Sequence, residues 1–143
     1  MGLKFAKSKR VPKNKEEDKL WKVFSEFIRL RDTDRNGYGK CPTCGSFHHW
    51  KDADAGHFIS RKYKATKFDE KNVSFQCKKC NRFENGQQFR MALYIDDRWG
   101  MGTAERIETL SRAGGKIGRL WINQQIEYYR LKVKAMKKEK GVF

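Results

Sequence analysis

Four cysteines in two closely spaced pairs are the residues of this sequence best suited to bind a metal. They form the patterns Cys41-Pro-Thr-Cys44 and Cys77-Lys-Lys-Cys80, and the chain has no other cysteine. Two C-x2-C pairs supply the four thiolates that tetrahedral zinc prefers. Disulfides are disfavoured because the start of the chain lacks a secretion signal, and a redox site would need only one such pair. The pattern predicts one structural Zn²⁺ site.

The interval between the two pairs is longer than a simple zinc ribbon requires. Residues 45–76 number 32, against about 15–20 in a ribbon. The interval contains His57 and Asn72, and Asn81 directly follows the last cysteine. Each residue alone has an ordinary structural interpretation, as a core histidine, a turn asparagine or a helix-capping asparagine. One zinc ion bound by both cysteine pairs would bring these three residues together.

This order of His57, Asn72 and Asn81, with C-x2-C pairs flanking the first two, resembles the HNH or ββα-metal nucleases, in the variant whose final His is replaced by Asn. The segment CKKCN at 77–81 is similar to the endonuclease VII type of phage Holliday-junction resolvase. The segments DAGHFISR, FDEKNVSFQCKKCN and AERIETL resemble, more closely, the NinG (Rap) family of lambdoid phage recombination proteins. The resemblance covers residues 41–110.

The resemblance implies a role for each of the three residues. His57 would be the general base that takes a proton from the attacking water, and neutral imidazole is available near neutral pH. Asn72 would pin the loop that orients this base. Asn81 would be a ligand of a catalytic Mg²⁺ or Mn²⁺ ion, since hard divalent ions take oxygen ligands.

The chain departs from the family pattern at Gly56. This residue stands directly before the expected base, where many family members carry an Asp or His ligand. Glycine has no ligand atom, so we expect Asp54, Glu84 and Asn85 as the replacement ligands. Asn81, Glu84 and Asn85 are spaced so that one face of a helix would carry all three.

An α+β fold must position these residues. The pattern predicts a helix over about 16–31, with acidic residues in its first turn and an apolar stripe for the core. Residues 38–76 read as short strands and loops, and 81–94 as a helix. Glycines at 100 and 102 precede two further helices, over 103–111 and about 120–136.

We expect residues 1–14 to be a basic flexible arm and residues 15–143 to form one domain. Its parts would be an N-terminal helix within 15–36, a zinc-bound HNH-like centre at 37–98 and a helical part at 99–143. Apolar residues of the last helix fit packing within the chain and a homodimer interface equally well; they are Leu120, Trp121, Tyr128 and Leu131.

The chain is strongly basic. Its 33 Lys and Arg residues against 17 Asp and Glu give a formal charge of +16, which favours a polyanionic partner and nucleic acid above all. No apolar run approaches the roughly 20 residues of a membrane span, so we expect no membrane contact and a cytoplasmic location in a bacterial host. His48 and His49 are expected on the surface or on DNA. The expected phosphate contacts are Arg61, Lys62, Lys64, Lys67, Lys78, Lys79, Lys132 and Lys134.

The expected function is metal-dependent cleavage of DNA in branched recombination intermediates such as Holliday junctions. Zn²⁺ would be structural and Mg²⁺ or Mn²⁺ catalytic. A homodimer would suit a junction, because two opposed cuts are needed. One alternative is a non-catalytic zinc module that binds nucleic acid. Another is an HNH nuclease that processes phage DNA without preference for junctions.

Overall fold

The computed structural model describes residues 14–141, which form four α-helices and two antiparallel pairs of strands. The helices are α1 (Lys15–Arg31), α2 (Gln88–Trp99), α3 (Thr103–Ser111) and α4 (Arg119–Lys140). The strands are β1 (Tyr38–Lys40), which pairs with β2 (Phe47–His49), and β3 (Ala53–His57), which pairs with β4 (Val73–Cys77). The fold is therefore mixed α+β, as the sequence predicts. Apart from Asn14, the expected basic arm lies outside the described residues.

Local sequence explains where α1 begins. The side chain of Asn14 accepts hydrogen bonds from the backbone N–H groups of Glu16 and Glu17, both at 3.1 Å. This cap satisfies two of the donors that the first turn leaves without a partner. The predicted apolar stripe is buried, with Leu20 and Phe24 fully inaccessible. The helix predicted over 16–31 is thus confirmed, beginning one residue earlier.

The main core lies between α1, α4 and the β3–β4 pair. The rings of Phe24 and Tyr129 pack edge to face, with centroids 5.0 Å apart and planes at 84°. Beside this contact, α4 buries Ile122, Ile126 and Val133. Four apolar residues of α4, which the sequence left open between packing within the chain and a homodimer interface, stay exposed to different degrees: Leu120, Trp121, Tyr128 and Leu131. Trp121 nevertheless contacts Phe68 within the chain, with ring centroids 6.2 Å apart.

The segment between β4 and α2 is irregular. A π-helical turn, Lys79–Phe83, is followed by a short 3-10 turn, Asn85–Gln87. Asn85, Gly86 and Gln87 have φ angles of 53°, 75° and 51°, and such left-handed backbone cannot continue a right-handed helix. The expected continuous helix over 81–94 is therefore wrong in its first half, and α2 begins only at Gln88. Asn81, Glu84 and Asn85 consequently share no regular helix face.

A second, smaller core joins α2, α3 and the loop after β3. It contains Ile59 from the loop, Met91 and Ile95 from α2, and Ala104 and Ile107 from α3. The bounds of α3 match the prediction, and α4 extends to Lys140, four residues beyond it.

Within residues 14–141, no helix is both long enough and apolar enough to cross a lipid bilayer.

Candidate functional site

The four cysteines meet between the β1–β2 turn and the end of β4. Their Sγ atoms all lie within 4.8 Å of one another, and those of Cys44 and Cys77 are 3.7 Å apart. Four thiolates bound to one zinc ion are separated by about 3.8 Å. The cluster could therefore hold a structural metal ion such as zinc, as the spacing of the cysteines predicts.

The β1–β2 turn is shaped for such a cluster. The Cys41 N–H donates to the Ser46 carbonyl and the Gly45 N–H to the Cys41 carbonyl, both at 2.8 Å. Gly45 has a φ of 79°, which glycine adopts without steric cost. The Ser46 hydroxyl lies 2.9 Å from the Cys44 sulfur and 2.8 Å from Nε2 of His48. This hydroxyl lowers the pKa of the Cys44 thiol to about 6. His48 thus supports the cluster through Ser46 and is not one of its four ligands.

A cleft of about 660 Å³ opens beside the cysteine cluster. Its walls come from α1, β3, the loop after β3 and the turn after β4. Four of the expected catalytic and metal-binding residues line it together, namely Asp54, His57, Asn81 and Asn85. The fold therefore brings into one place residues such as Asp54 and Asn81, which are 27 positions apart in the chain.

His57 is held in one defined tautomer. Its Nε2 lies 2.9 Å from the carbonyl oxygen of Lys67, and because a carbonyl only accepts, Nε2 carries the proton. The neutral ring therefore has an unprotonated Nδ1, which no hydrogen bond from the described residues reaches. Burial is the largest cause that lowers the pKa of His57, and with the charges of Lys67 and Arg61 it brings the pKa from 6.5 to about 4, although the hydrogen bond to the Lys67 carbonyl raises it. At neutral pH the ring is uncharged and Nδ1 carries a lone pair.

Asn72 fixes the loop that holds His57. It is fully buried, and its Oδ1 accepts from the Ile59 N–H at 2.8 Å. Its Nδ2 donates to the carbonyls of Ile59 and Thr66 at 3.0 and 2.9 Å. These bonds close the loop 58–72, which carries the Lys67 carbonyl that orients the imidazole. Asn72 does not line the cleft, and its side chain holds the loop from a buried position.

Asp54 is ionised and paired on the cleft wall. One oxygen accepts from Asn81 Nδ2 at 2.9 Å, and both accept from Arg82, at 2.8 and 2.9 Å. Burial alone would raise the pKa of Asp54, but the hydrogen bonds from Arg82 and Asn81 outweigh it and lower the pKa. Because Asn81 donates through Nδ2, its Oδ1 is the oxygen left for another partner.

The other two expected metal ligands have different surroundings. Asn85 lines the cleft. Glu84 lies next to the cysteine cluster and is not among the residues that line the cleft. Its carboxylate is 3.6 Å from Nζ of Lys79 and accepts a hydrogen bond from the side-chain amide of Gln87. Of the expected metal ligands, Asp54, Asn81 and Asn85 therefore line the cleft, and their side-chain oxygens are of the kind that Mg²⁺ or Mn²⁺ binds.

The basic residues expected to contact phosphates fall into separate groups. Arg61 and Lys78 line the cleft. Four others are exposed on the surface, namely Lys62, Lys79, Lys132 and Lys134. Lys64 and Lys67 both pair with the buried carboxylate of Glu17. The Lys67 side chain is only 11% exposed, so the expectation that it contacts phosphate is corrected: its ammonium group stabilises the fold.

The sequence analysis missed three cleft residues on α1. Trp21, Ser25 and Arg29 line one wall, and their spacing of four residues places them on one helix face. That spacing was the available signal, but the same helix was considered only for its apolar stripe. Lys51 and Arg82 also line the cleft and were not expected there.

Comparison with known proteins assigns the chain to a family. A family model described as "Bacteriophage Lambda NinG protein" matches residues 2–139. A curated relative, "Protein ninG" of Salmonella phage P22, is 28% identical over 110 residues, which are 75% of this chain and 51% of that protein. The chain thus spans about half the length of this relative. No solved structure matches it. The match to the family model covers nearly all of the chain, which therefore belongs to the NinG family of bacteriophage proteins.

Proposed function

We propose that this NinG-family protein is a metal-dependent DNA endonuclease of the HNH type. The observation that carries the proposal is the environment of His57: a neutral imidazole, with its Nδ1 unprotonated, stands in a basic cleft beside Asp54 and Asn81. A base, oxygen ligands and cationic side chains are the groups that hydrolysis of a phosphodiester requires.

His57 takes a proton from water in the proposed reaction. The water oxygen bonds to phosphorus as the bond from phosphorus to the 3′ oxygen breaks, and the 3′ oxygen acquires a proton from solvent. The imidazolium then returns its proton to solvent. The Lys67 carbonyl stabilises this cation through Nε2–H, so the same bond that fixes the tautomer also favours proton uptake at Nδ1.

Asn81 Oδ1 and the Asp54 carboxylate would hold the divalent ion. The three hydrogen bonds to Asp54 leave one of its about four acceptor sites, on Oδ1, so pairing with Arg82 is compatible with this role. A bound Mg²⁺ or Mn²⁺ would supply positive charge that stabilises the phosphate in the transition state. Arg61 and Lys78 would bind neighbouring phosphates along the cleft.

The local topology supports the HNH assignment. An antiparallel pair, β3–β4, is followed by a helical turn that carries Asn81. Two cysteines of the cluster, Cys77 and Cys80, lie at the end of β4 and in this turn. The base comes from the end of the first strand and the proposed ligand from the turn after the second, in the order that the resemblance implies.

The substrate we propose is branched DNA, such as a Holliday junction. Membership of the NinG family and the resemblance to phage resolvases support this class of substrate. Two opposed cuts require two sites, which a two-fold dimer provides. The apolar residues of α4 that stay exposed, among them Leu120 and Leu131 at 73% and 64%, are the surface we propose for this dimer.

A cleavage assay tests the proposal directly. Zinc-loaded protein is incubated with four-way, flapped and linear DNA, with and without Mg²⁺ or Mn²⁺. We expect metal-dependent cuts near the branch, and a loss of about 10²–10⁴-fold in His57→Ala. His49→Ala, which changes a histidine of the β1–β2 pair, is the matched control. Equal cutting of linear DNA would favour a general HNH nuclease, and binding without any cleavage would favour a nucleic-acid-binding zinc module.

A further inference from the structure

Gln76 holds a buried oxygen that has no partner. It lies on β4, opposite Asp54, and is fully buried. Its Nε2 donates to the Gly86 carbonyl at 2.9 Å and contacts the Thr43 hydroxyl at 3.1 Å. Because a carbonyl only accepts, the atom facing Gly86 must be the nitrogen, which fixes the orientation of the amide. The remaining atom, Oε1, accepts no hydrogen bond from the described residues. Buried polar atoms are rarely left this way.

This oxygen occupies the space of a missing side chain. A Cβ atom at Gly56 would lie 2.1 Å from Gln76 Oε1 and 3.2 Å from Asn81 Oδ1. Gly56 sits in β3 and its φ is not left-handed, so the backbone would accept any residue. Glycine is needed here because the Gln76 amide fills the room that a side chain would take.

Two amide oxygens thus converge beside one point. Gln76 Oε1 and Asn81 Oδ1 both lie within 3.2 Å of the position that a Cβ atom of residue 56 would occupy. The hydrogen bonds from Gln76 Nε2 to Gly86 and from Asn81 Nδ2 to Asp54 keep the two oxygens in this orientation. Two facing acceptors without a donor repel each other unless a cation or a donor lies between them. The carboxylate of Asp54, which holds Asn81, is the one acidic group among the residues that line the cleft, and it would offset part of the charge of a bound cation.

We propose that Gln76 Oε1 is a ligand of the divalent cation, together with Asn81 Oδ1. Divalent cations such as Mg²⁺ bind amide and carboxylate oxygens at about 2.1 Å, and the fixed amide needs no rearrangement to present its oxygen. The inference rests on the proposed function, since it adds a ligand to the metal site of that reaction. Gln76 would then replace the ligand that an Asp or His side chain at position 56 would provide.

Mn²⁺ binding tests this role without DNA or activity. Zinc-loaded protein is titrated with Mn²⁺ alone, and free Mn²⁺ is followed by its electron paramagnetic resonance signal. Gln76→Leu should raise the Kd for Mn²⁺ by about 10-fold or more, since even an outer-shell partner of a metal site contributes that much. Asn123→Leu, at an exposed position of α4 outside the cleft, should leave the Kd unchanged. Zinc content and the melting temperature report whether each variant is folded.

Gln76→Glu separates a ligand from a structural residue. Both variants lose the Nε2 donor to Gly86 and Thr43, so a purely structural role predicts equal losses of Mn²⁺ binding. A ligand role predicts that Glu, which keeps an oxygen at this point and adds charge, binds Mn²⁺ at least as tightly as wild type. Its buried carboxylate should also make the melting temperature rise on adding Mn²⁺.

A transferred ligand provides the second test, which holds even if Gln76→Leu does not fold. Gln76→Ala removes the oxygen and the steric conflict, and Gly56→Asp then places a carboxylate in the same space. The double variant should bind Mn²⁺ at least 10-fold more tightly than Gln76→Ala. Failure of the double variant to recover Mn²⁺ affinity would overturn the inference.

The outcomes distinguish this inference from the function on which it rests. If wild-type protein cuts DNA and Gln76→Leu binds Mn²⁺ as tightly as wild type, the nuclease proposal stands. The proposal that Gln76 is a metal ligand is then wrong. Equal losses in the Leu and Glu variants would make Gln76 structural and an ordered water the partner of Oε1. If wild-type protein neither binds Mn²⁺ nor cuts DNA, both the nuclease proposal and the role of Gln76 as a ligand are wrong.

Discussion

The indole of Trp21 stacks on the imidazole of His57, with ring centroids 4.8 Å apart and planes inclined by 23°. Trp21 therefore shields one face of the ring from solvent and contributes to the burial that lowers its pKa.

Replacing Trp21 tests this coupling. Trp21→Ala should raise the pKa of His57 from about 4 towards the ordinary histidine value of about 6.5, because water regains access to the ring. Titration of the His57 ring protons by NMR measures the change. Trp121→Ala removes an indole that packs against Phe68 instead, and the His57 pKa should not move in that control.

The pH dependence of stability follows from the same shift. The folded-state pKa of His57 is about 4, against 6.5 for the ordinary residue, so the unfolded chain binds more protons between these values. Stability should therefore fall as pH drops from 6.5 to 4, by up to about 3 kcal/mol. Urea denaturation at several pH values measures it. His57→Gln should flatten this part of the profile, and an unchanged slope would contradict the assignment.

Asn72→Ala should destabilise the protein more than removal of His57 does. Three backbone groups in the loop 58–72 would lose their buried partner, at a cost of about 2–4 kcal/mol in total. Cleavage should also fall, since the loop no longer fixes the Lys67 carbonyl. Urea denaturation of Asn72→Ala, His57→Ala and the α4 control Asn123→Ala gives the comparison. A stable Asn72→Ala variant would show that other contacts hold this loop.

Loss of a cysteine should unfold the centre, because formation of a structural metal site and folding are coupled. Cys77→Ser should lack zinc and lose protection of β3 and β4 against hydrogen exchange. Ser46→Ala keeps all four thiols and should retain zinc. Folded, active wild-type protein without any bound zinc would contradict this prediction.

Lys78 and Lys67 should behave differently although both were expected to bind phosphate. Lys78→Ala should weaken DNA binding and reduce the slope of log K against log salt by about 1. Lys67→Ala should leave that slope unchanged and lower stability, because it leaves the buried Glu17 with one partner fewer. Fluorescence anisotropy at several salt concentrations, alongside urea denaturation, separates the two effects.

Patterns local in the chain were enough to place much of this molecule. The spacing of the cysteines predicted one metal cluster, because two C-x2-C turns each present two thiols to the same side. First-turn acids with apolar periodicity placed α1, and the glycines at 100 and 102 placed the start of α3, each within a residue. The order of His57, Asn72 and Asn81 marked a site whose residues the fold does bring to one loop and one cleft.

Contacts between distant segments decided which face of α4 is buried and which side chains meet in the cleft. Apolar residues lie on both sides of α4, and packing against α1 selected the face with Ile122 and Ile126. The π-helical turn that ends at Phe83 and the left-handed backbone at Asn85 removed the shared helix face that the spacing of Asn81, Glu84 and Asn85 had indicated. Gln76 meets the space above Gly56 only because β3 and β4 pair in one register. Such a cross-strand contact depends on side-chain packing in three dimensions, and no local pattern encodes it.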